Sequence, residues 1–249
     1  MTAAPPPDPR DFILVDFDGT LAAADVGNRF FRQFTADHEA WRRLIDDWKQ
    51  ERITARECLA RECELARVGE AEAHAFVRSF HLAPEAPAFA ARARAAGHEV
   101  AVASDGLSFY IEDLLARAGL DLAHRANRLR FESAGPVPEF GSRGPSFALA
   151  DGRVARSAAD AGPGCGACGH CKGAALDAAR ASGRYRRLVL VGDGYSDRCG
   201  ARAADVRYAK DDLLDWCRAQ GLAATPFATL DKVARAEGWP VCPPSPRPL

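Results

Sequence analysis

The 249-residue chain is poor in lysine, with only Lys49, Lys172, Lys210 and Lys232, and it has no excess of either charge: Lys+Arg is 33 and Asp+Glu is 34, a formal net charge of −1. A balanced chain of this kind lacks the basic surplus that nucleic acid calls for, so an anionic ligand must be met by a few local groups. No apolar run approaches the roughly 20 residues of a membrane span. The first ten residues are Pro-rich and lack the apolar stretch of a secretory signal. The expectation is a soluble, cytoplasmic protein whose eight cysteines are reduced. No internal repeat is evident, and the six histidines show no triad or metal spacing. The basic residues are nearly all arginine in an alanine-rich chain, a skew read as codon bias.

What is present is a globular composition, 47% hydrophobic, long enough for one sizeable core and a smaller accessory unit. Three short apolar runs read as buried parallel strands: Phe12 to Asp16, Glu99 to Ser104 and Arg187 to Val191. Helical patterns follow the second, Ser108 to Ala118, and flank the third, Lys172 to Ala181 and Ser196 to Ala203. A helix from about Pro87 to Ala96 ends at Gly97. Leu122 to Phe131 holds one or two short strands, and Glu132 to Gly169, rich in Gly, Pro and Ser, reads as hairpin and loop. A small strand at Val206 to Tyr208 and a helix from Asp211 to Gln220 come after. This alternation specifies an α/β fold, a parallel sheet with helices on both faces.

From about Val26 to Phe80 the alternation is interrupted by several amphipathic helical patterns. The insertion follows strand one directly, at the end of the sheet where open α/β folds bind ligands. The expected organisation is a core of residues 1–21 and 85–242, a small α-helical cap of residues 22–84, and a frayed tail of residues 243–249.

Each of the three strands ends in a polar cluster: Asp16-Phe-Asp-Gly-Thr20, Ser104-Asp-Gly106 and Gly192-Asp-Gly-Tyr-Ser-Asp197. Asp-Gly is ordinary turn chemistry, which explains one such cluster but not three at three strand ends. In a parallel sheet these ends converge, so Asp16, Asp18, Asp193 and Asp197 are expected to crowd together. Such crowding needs a cation or shared protons, and hard oxygen ligands suit Mg²⁺.

These segments resemble the haloacid-dehalogenase (HAD) superfamily of phosphatases: DxDGT at Asp16–Thr20, Ser104, Lys172 and GDxxxD at Gly192–Asp197 occur in the family's order. The helical insertion is similar to that of the phosphoserine-phosphatase branch. A Cys-rich stretch running into Lys172 and the segment Tyr208 to Leu214 resemble the methionine-salvage phosphatases that act on hydroxyketo-methylthiopentenyl phosphate. The resemblance implies a phosphoric monoester hydrolase of a small phosphorylated metabolite, monomeric or homodimeric, working through an aspartyl-phosphate. Asp16 would be the nucleophile. Asp18 would be the general acid and then base, its pKa raised by a neighbouring carboxylate and by burial. Ser104, Gly106 and Lys172 would hold the phosphoryl group. Asp16, the Asp18 carbonyl and Asp193 would bind Mg²⁺, and Asp197 would orient Lys172 or a water on the metal. Dehalogenases lack the acid at the Asp18 position, and P-type ATPases are membrane proteins; Asp18 together with the absence of a membrane span therefore points to a soluble phosphatase. Phosphoserine, a phosphorylated amino alcohol and a specialised biosynthetic ester stay open as substrates. A non-catalytic phosphate-binding protein on the same scaffold is the other class, and the presence of Asp16, Asp18 and Lys172 speaks against it.

Several signals stand outside that pattern. Cys165, Cys168 and Cys171 form a C-x₂-C-x₂-C run. A Zn²⁺ site there would need a fourth ligand from His170, Asp160 or another subunit, and the alternative is a loop of reduced thiols. Cys58, Cys63, Cys199 and Cys217 read as core residues. Gly164 to Gly169 formally matches the dinucleotide fingerprint but follows no strand. In the cap, Asp25, Asn28, Arg29, Arg52 and Arg56 are candidates to face the substrate, Arg56 foremost, against the alternative of a solvated helix face.

Overall fold

The computed structural model describes residues 10–133, 135–140 and 168–241, with the backbone of 147–148 and 154–155. The chain opens with β1 (Arg10–Val15) and a wide turn, Phe17–Leu21, where Gly19 takes a φ of 74°. Four helices follow: α1 (Val26–Phe34), α2 (His38–Lys49), α3 (Ala55–Leu65) and α4 (Glu70–Val77). Their starts are set by the sequence: Asp25, Asp37 and Thr54 each accept from a backbone N–H of the first turn, which satisfies donors that the helix leaves unpaired.

The remainder alternates. In order come α5 (Ala86–Ala95), β2 (Glu99–Leu107), α6 (Ser108–Arg117), β3 (Ala123–Glu132) and β4 (Gly135–Glu139), then the two-residue strands β5 (Phe147–Ala148) and β6 (Val154–Ala155). After these come α7 (Lys172–Ala181), β7 (Tyr185–Gly192), a single 3₁₀ turn at Tyr195–Asp197, α8 (Arg198–Ala203), β8 (Val206–Ala209), α9 (Asp211–Ala219), β9 (Thr225–Pro226) and α10 (Leu230–Ala236). Of Leu122 to Phe131, everything from Ala123 on thus belongs to one long strand, β3, hairpinned onto β4. The sequence pattern ends at the α9 helix, whereas β9 and α10 extend the fold beyond it.

Seven strands form one sheet in the order β4-β3-β2-β1-β7-β8-β9. All neighbours are parallel except β3 and β4. β1 is central: it pairs with β2 on one side (Leu14 opposite Ala101) and β7 on the other (Val15 opposite Val191). The strands after β1 build first to one side (β2, β3, β4) and then to the other (β7, β8, β9), so the strand order reverses beside β1 and a crevice opens at the carboxyl ends of β2, β1 and β7.

Successive β1 side chains face opposite sides. Ile13 and Val15 join a cluster that includes Phe17, Phe30, Phe89, Tyr110 and Val191. Phe12 and Leu14 join a second with Ala175, Leu176, Leu190 and Leu213. The first cluster runs without a break from the sheet into α1–α4. Phe30 meets Phe109 of α6 at 5.5 Å and Phe76 of α4 at 6.2 Å between ring centroids. The helical block enters and leaves along a paired stem: Ala22 and Leu82 form an antiparallel bridge, and Ala83 N donates to Leu21 O at 2.8 Å. No helix among the described residues is long and apolar enough to cross a membrane.

Candidate active site

Lys172, at the first position of α7, is 1% exposed, and burying a bare ammonium is costly unless it is paired. Here Nζ donates to Asp16 Oδ1 and to Asp197 Oδ1 at 2.6 Å each, and to Ser196 Oγ at 3.0 Å. The two carboxylates hold the ammonium charged well above the ordinary lysine range, overcoming the opposing push of burial. Asp197 Oδ2 meanwhile accepts from the backbone N–H groups of Asp193 and Gly194 at 3.0 and 2.9 Å. Asp197 therefore orients Lys172 and the turn after β7.

Carboxylate oxygens of Asp16, Asp193 and Asp197 all lie within 4.8 Å of one another. Burial raises Asp16, Asp197 pushes it the same way, and Lys172 pulls against them. Burial and then Asp197 bring Asp193 up to about 6, although Thr20 Oγ1 donates to it at 2.5 Å. One ammonium leaves three converging carboxylates under-neutralised, and all the ligand atoms are hard oxygens. The donor set fits a small divalent cation such as Mg²⁺.

Asp18 stands apart from this cluster, contrary to the expectation that four carboxylates crowd together. Its Oδ1 accepts from Val26 N at 2.8 Å and Gly27 N at 3.2 Å, and its Oδ2 accepts from Tyr110 Oη at 2.6 Å. Its pKa is raised to about 7, first by desolvation and then by the negative charge of Asp25, while these donors oppose the rise. The neighbouring carboxylate that matters is thus Asp25, because the Gly19 turn aims the side chain at the start of α1 instead of at Asp16.

Ser104, at the end of β2, is 2% exposed. Its Oγ lies 3.4 Å from Asp18 Oδ2 and accepts from Gly106 N at 2.9 Å. A Cβ on Gly106 would collide with Tyr110 Oη and sit 2.6 Å from Asp18 Oδ2, so only glycine fits. Asp16, Asp18, Ser104 and Gly106 line one cavity, whose other wall comes from the helices: Phe31, Ile45, Trp48, Leu59 and Glu62. Among the other cap candidates, Asp25 and Asn28 reach this cavity. Arg29 lies over the Phe80 ring, and Arg52 pairs with Asp47 at 2.5 Å. Arg56 stacks its guanidinium on the Phe140 ring at 4.4 Å and is not among the described residues lining the cavity.

Two residues of the site, Tyr110 and Glu62, escape the motif pattern, and a third, Asp105, lies inside the Ser104-Asp-Gly106 cluster with no role that the motif implies for it. Tyr110, fully buried, holds Asp18; in the sequence it is one more aromatic on a helix. Asp105 accepts from His170 N at 2.8 Å and so fixes the approach to Lys172. Glu62 is 9% exposed, and its Oε1 accepts from Trp41 Nε1 at 3.0 Å. Desolvation first, and Asp25 behind it, push Glu62 up to about 8. Its signal is legible in the sequence: Cys58, Leu59, Glu62 and Cys63 share one face of α3, an acid at an apolar position. Of the C-x₂-C-x₂-C run, Cys165 lies outside the described residues. Cys168 and Cys171 meet Cys199 instead. The core assignment of Cys199 is corrected accordingly: it is only partly buried, whereas Cys58, Cys63 and Cys217 are buried.

Residues 13–202 match a family model described as haloacid dehalogenase-like hydrolase. The 2-hydroxy-3-keto-5-methylthiopentenyl-1-phosphate phosphatase of Geobacillus kaustophilus (strain HTA426) is 29% identical over 227 residues, covering 90% of this chain and 94% of that one. A phospho-aspartyl intermediate analogue of phosphoserine phosphatase superposes with a TM-score of 0.66 at 17% identity, covering 92% of this chain and 99% of that one. A phosphoserine phosphatase from T. onnurineus gives 0.62 at 18% identity, covering 94% and 98%. These two likenesses establish a common fold.

Proposed function

The chain belongs to the haloacid dehalogenase-like hydrolases, and from that premise we propose that it is a Mg²⁺-dependent phosphatase of a small phosphate monoester, acting through an aspartyl-phosphate on Asp16. The observation that carries the reading is the Asp16–Lys172–Asp197 chain at the ends of β1 and β7, with Ser104 and Gly106 beside it at the end of β2.

Asp16 is the nucleophile: its carboxylate attacks phosphorus, and the ester oxygen leaves. Lys172 holds Asp16 in place and offsets negative charge on the transferring group. Ser104 Oγ and the Gly106 N–H hold phosphoryl oxygens. Asp18, raised to about 7, carries the proton that the leaving oxygen takes up, and as a base it then removes one from the water that hydrolyses the acyl-phosphate. The carboxylates of Asp16 and Asp193 with the Asp18 carbonyl are the groups that would hold Mg²⁺. Magnesium there would supply neutralisation and orientation of the phosphoryl group.

The helices α1–α4, on their paired stem, are the cap of this site, and residues 22–84 its extent. Hydroxyketo-methylthiopentenyl phosphate is the first-choice substrate. The helical wall of the cavity is largely apolar, with Phe31, Ile45, Trp48 and Leu59, and no arginine lies among its described lining. That suits a methylthio chain better than the carboxylate of phosphoserine, which would be left unpaired. The test is a panel of phosphate monoesters offered to the purified protein with Mg²⁺ and after EDTA dialysis. The methylthiopentenyl ester should give the highest kcat/KM, and EDTA should abolish turnover until Mg²⁺ is restored. Full activity in metal-free protein, or no turnover of any ester, would refute the reading.

A further inference from the structure

Three thiols on two chain segments meet beside the proposed active site. Cys168 lies in the loop before α7, Cys171 caps the α7 N-terminus, and Cys199 is the second residue of α8. Their sulfurs all lie within 4.8 Å of one another, and Cys171 Sγ is 3.7 Å from Cys199 Sγ. We propose that Cys168, Cys171 and Cys199 form a three-thiolate zinc site, separate from the carboxylate site and bracing the segments that carry Lys172 and Asp197.

The distances discriminate. A disulfide needs its sulfurs about 2.05 Å apart. Two sulfurs bound to one zinc at about 2.3 Å with tetrahedral angles are separated by about 3.8 Å. The Cys171–Cys199 separation, spanned by a thiol hydrogen bond, matches that edge and is far too long for a disulfide. It is also built into the backbone. A Cβ on Gly173 would lie 3.0 Å from Cys199 O, and one on Gly200 would lie 3.0 Å from Lys172 Cβ. Glycine at both positions lets α7 and α8 approach closely enough to bring the two cysteines side by side. Cys168 adds the second arm of a C-x₂-C chelate.

The surroundings differ from those of inert core thiols. Cys58, Cys63 and Cys217 are buried, while these three are half-buried. Cys168 and Cys199 open onto a cavity of about 380 Å³ shared with Asp105, Tyr195, Arg198 and Trp216. A fourth ligand the size of water, about 30 Å³, fits there. The two metal sites are also chemically sorted. Soft thiolates select zinc and are poor ligands for magnesium, while the oxygen cluster of Asp16, Asp193 and Asp197 has the opposite preference. Binding would release the thiol protons on the metal's own account.

Metal analysis of the full-length protein, purified without added zinc and dialysed against Mg²⁺, tests the proposal. One zinc per chain should remain and be released by a thiol-reactive mercurial. Cys168→Ser and Cys199→Ser should each lose it while keeping the wild-type circular dichroism, and Cys58→Ser and Asp193→Asn should retain it. Should a serine variant fail to fold, cobalt substitution of the wild-type protein decides. A thiolate-to-cobalt charge-transfer band is expected, and its absence would overturn the site. The site is equally overturned if zinc survives both serine substitutions, if Asp193→Asn removes it, if the metal found is iron, or if peptide mapping of the metal-free protein finds a Cys171–Cys199 disulfide.

Discussion

At the carboxyl ends of β1 and β7, buried charge is met by opposite charge: Lys172 lies 2.6 Å from both Asp16 and Asp197, and backbone amides complete Asp197. Under the helices α2 and α3 a buried acid is treated differently. Glu62 accepts from the neutral indole of Trp41 and faces a second acid, Asp25. The first arrangement fixes a charge state; the second leaves one to be set by pH or by a ligand. On the proposed function, chemistry on the phosphoryl group falls to the first region and discrimination among the organic parts of esters to the second.

The largest effect that would break this division is at Asp16. Asp16→Asn keeps the shape but removes the anionic nucleophile, so turnover should fall by about 10⁴-fold or more with circular dichroism unchanged. Near-native rates in this variant would end the mechanism. Lys172→Ala should come next, lowering kcat/KM about 10²- to 10³-fold, by a similar factor for every ester, because the lost charge acts on the shared phosphoryl group. It also leaves Asp16 and Asp197 buried without their counter-ion, so thermal denaturation should show a marked loss of stability, about 3–5 kcal/mol. A loss confined to some esters would move Lys172 to the other side of the comparison.

Glu62→Gln should act selectively, shifting the ratio of kcat/KM between two esters by up to about 10-fold, on the order of one buried hydrogen bond. It carries a pH signature as well. The folded pKa, about 8, lies above the ordinary glutamate value of 4.5, so the native state holds a proton that the unfolded state has released. Stability from this group is fully present below about 4.5 and is lost as pH rises toward 8. The slope approaches about 1.4 kcal/mol per pH unit. Urea midpoints across that window should fall less steeply in Glu62→Gln than in the wild type. The smallest effect belongs to Arg56→Ala. Its guanidinium covers Phe140, and such a stack is worth about 0.5–1 kcal/mol. Melting should shift slightly and ester ratios should change less than 2-fold; a larger change in those ratios would bring Arg56 back to the substrate.

The strand ends are readable because their information is local. Apolar runs closed by Asp-Gly or Ser-Asp-Gly specify both the strand and the polar group at its end, and parallel pairing then gathers those ends. The helical block is readable as helices, but which side chains reach the cavity depends on how they pack. Arg56, a candidate to face inward, lies on an aromatic ring; Glu62, which belongs to no motif, lines the cavity. Asp18 shows the same limit within a well-marked motif, because the turn at Gly19 sends its carboxyl to Tyr110 and the α1 amides.

By itself, then, the sequence determined the α/β alternation, the position of the helical insertion and the residues at the strand ends, since each follows from periodicity and turn chemistry within a few neighbouring residues. Only the tertiary structure decided which distant groups share a charge or a metal-sized space. Burial first, and then the charge of Asp25, raises Asp18. Cys199, 28 residues beyond Cys171, joins the thiol cluster. Both outcomes depend on the direction of a side chain and the closeness of two helices. Those are fixed by packing around glycines and aromatics far apart in the chain, and no local pattern records them.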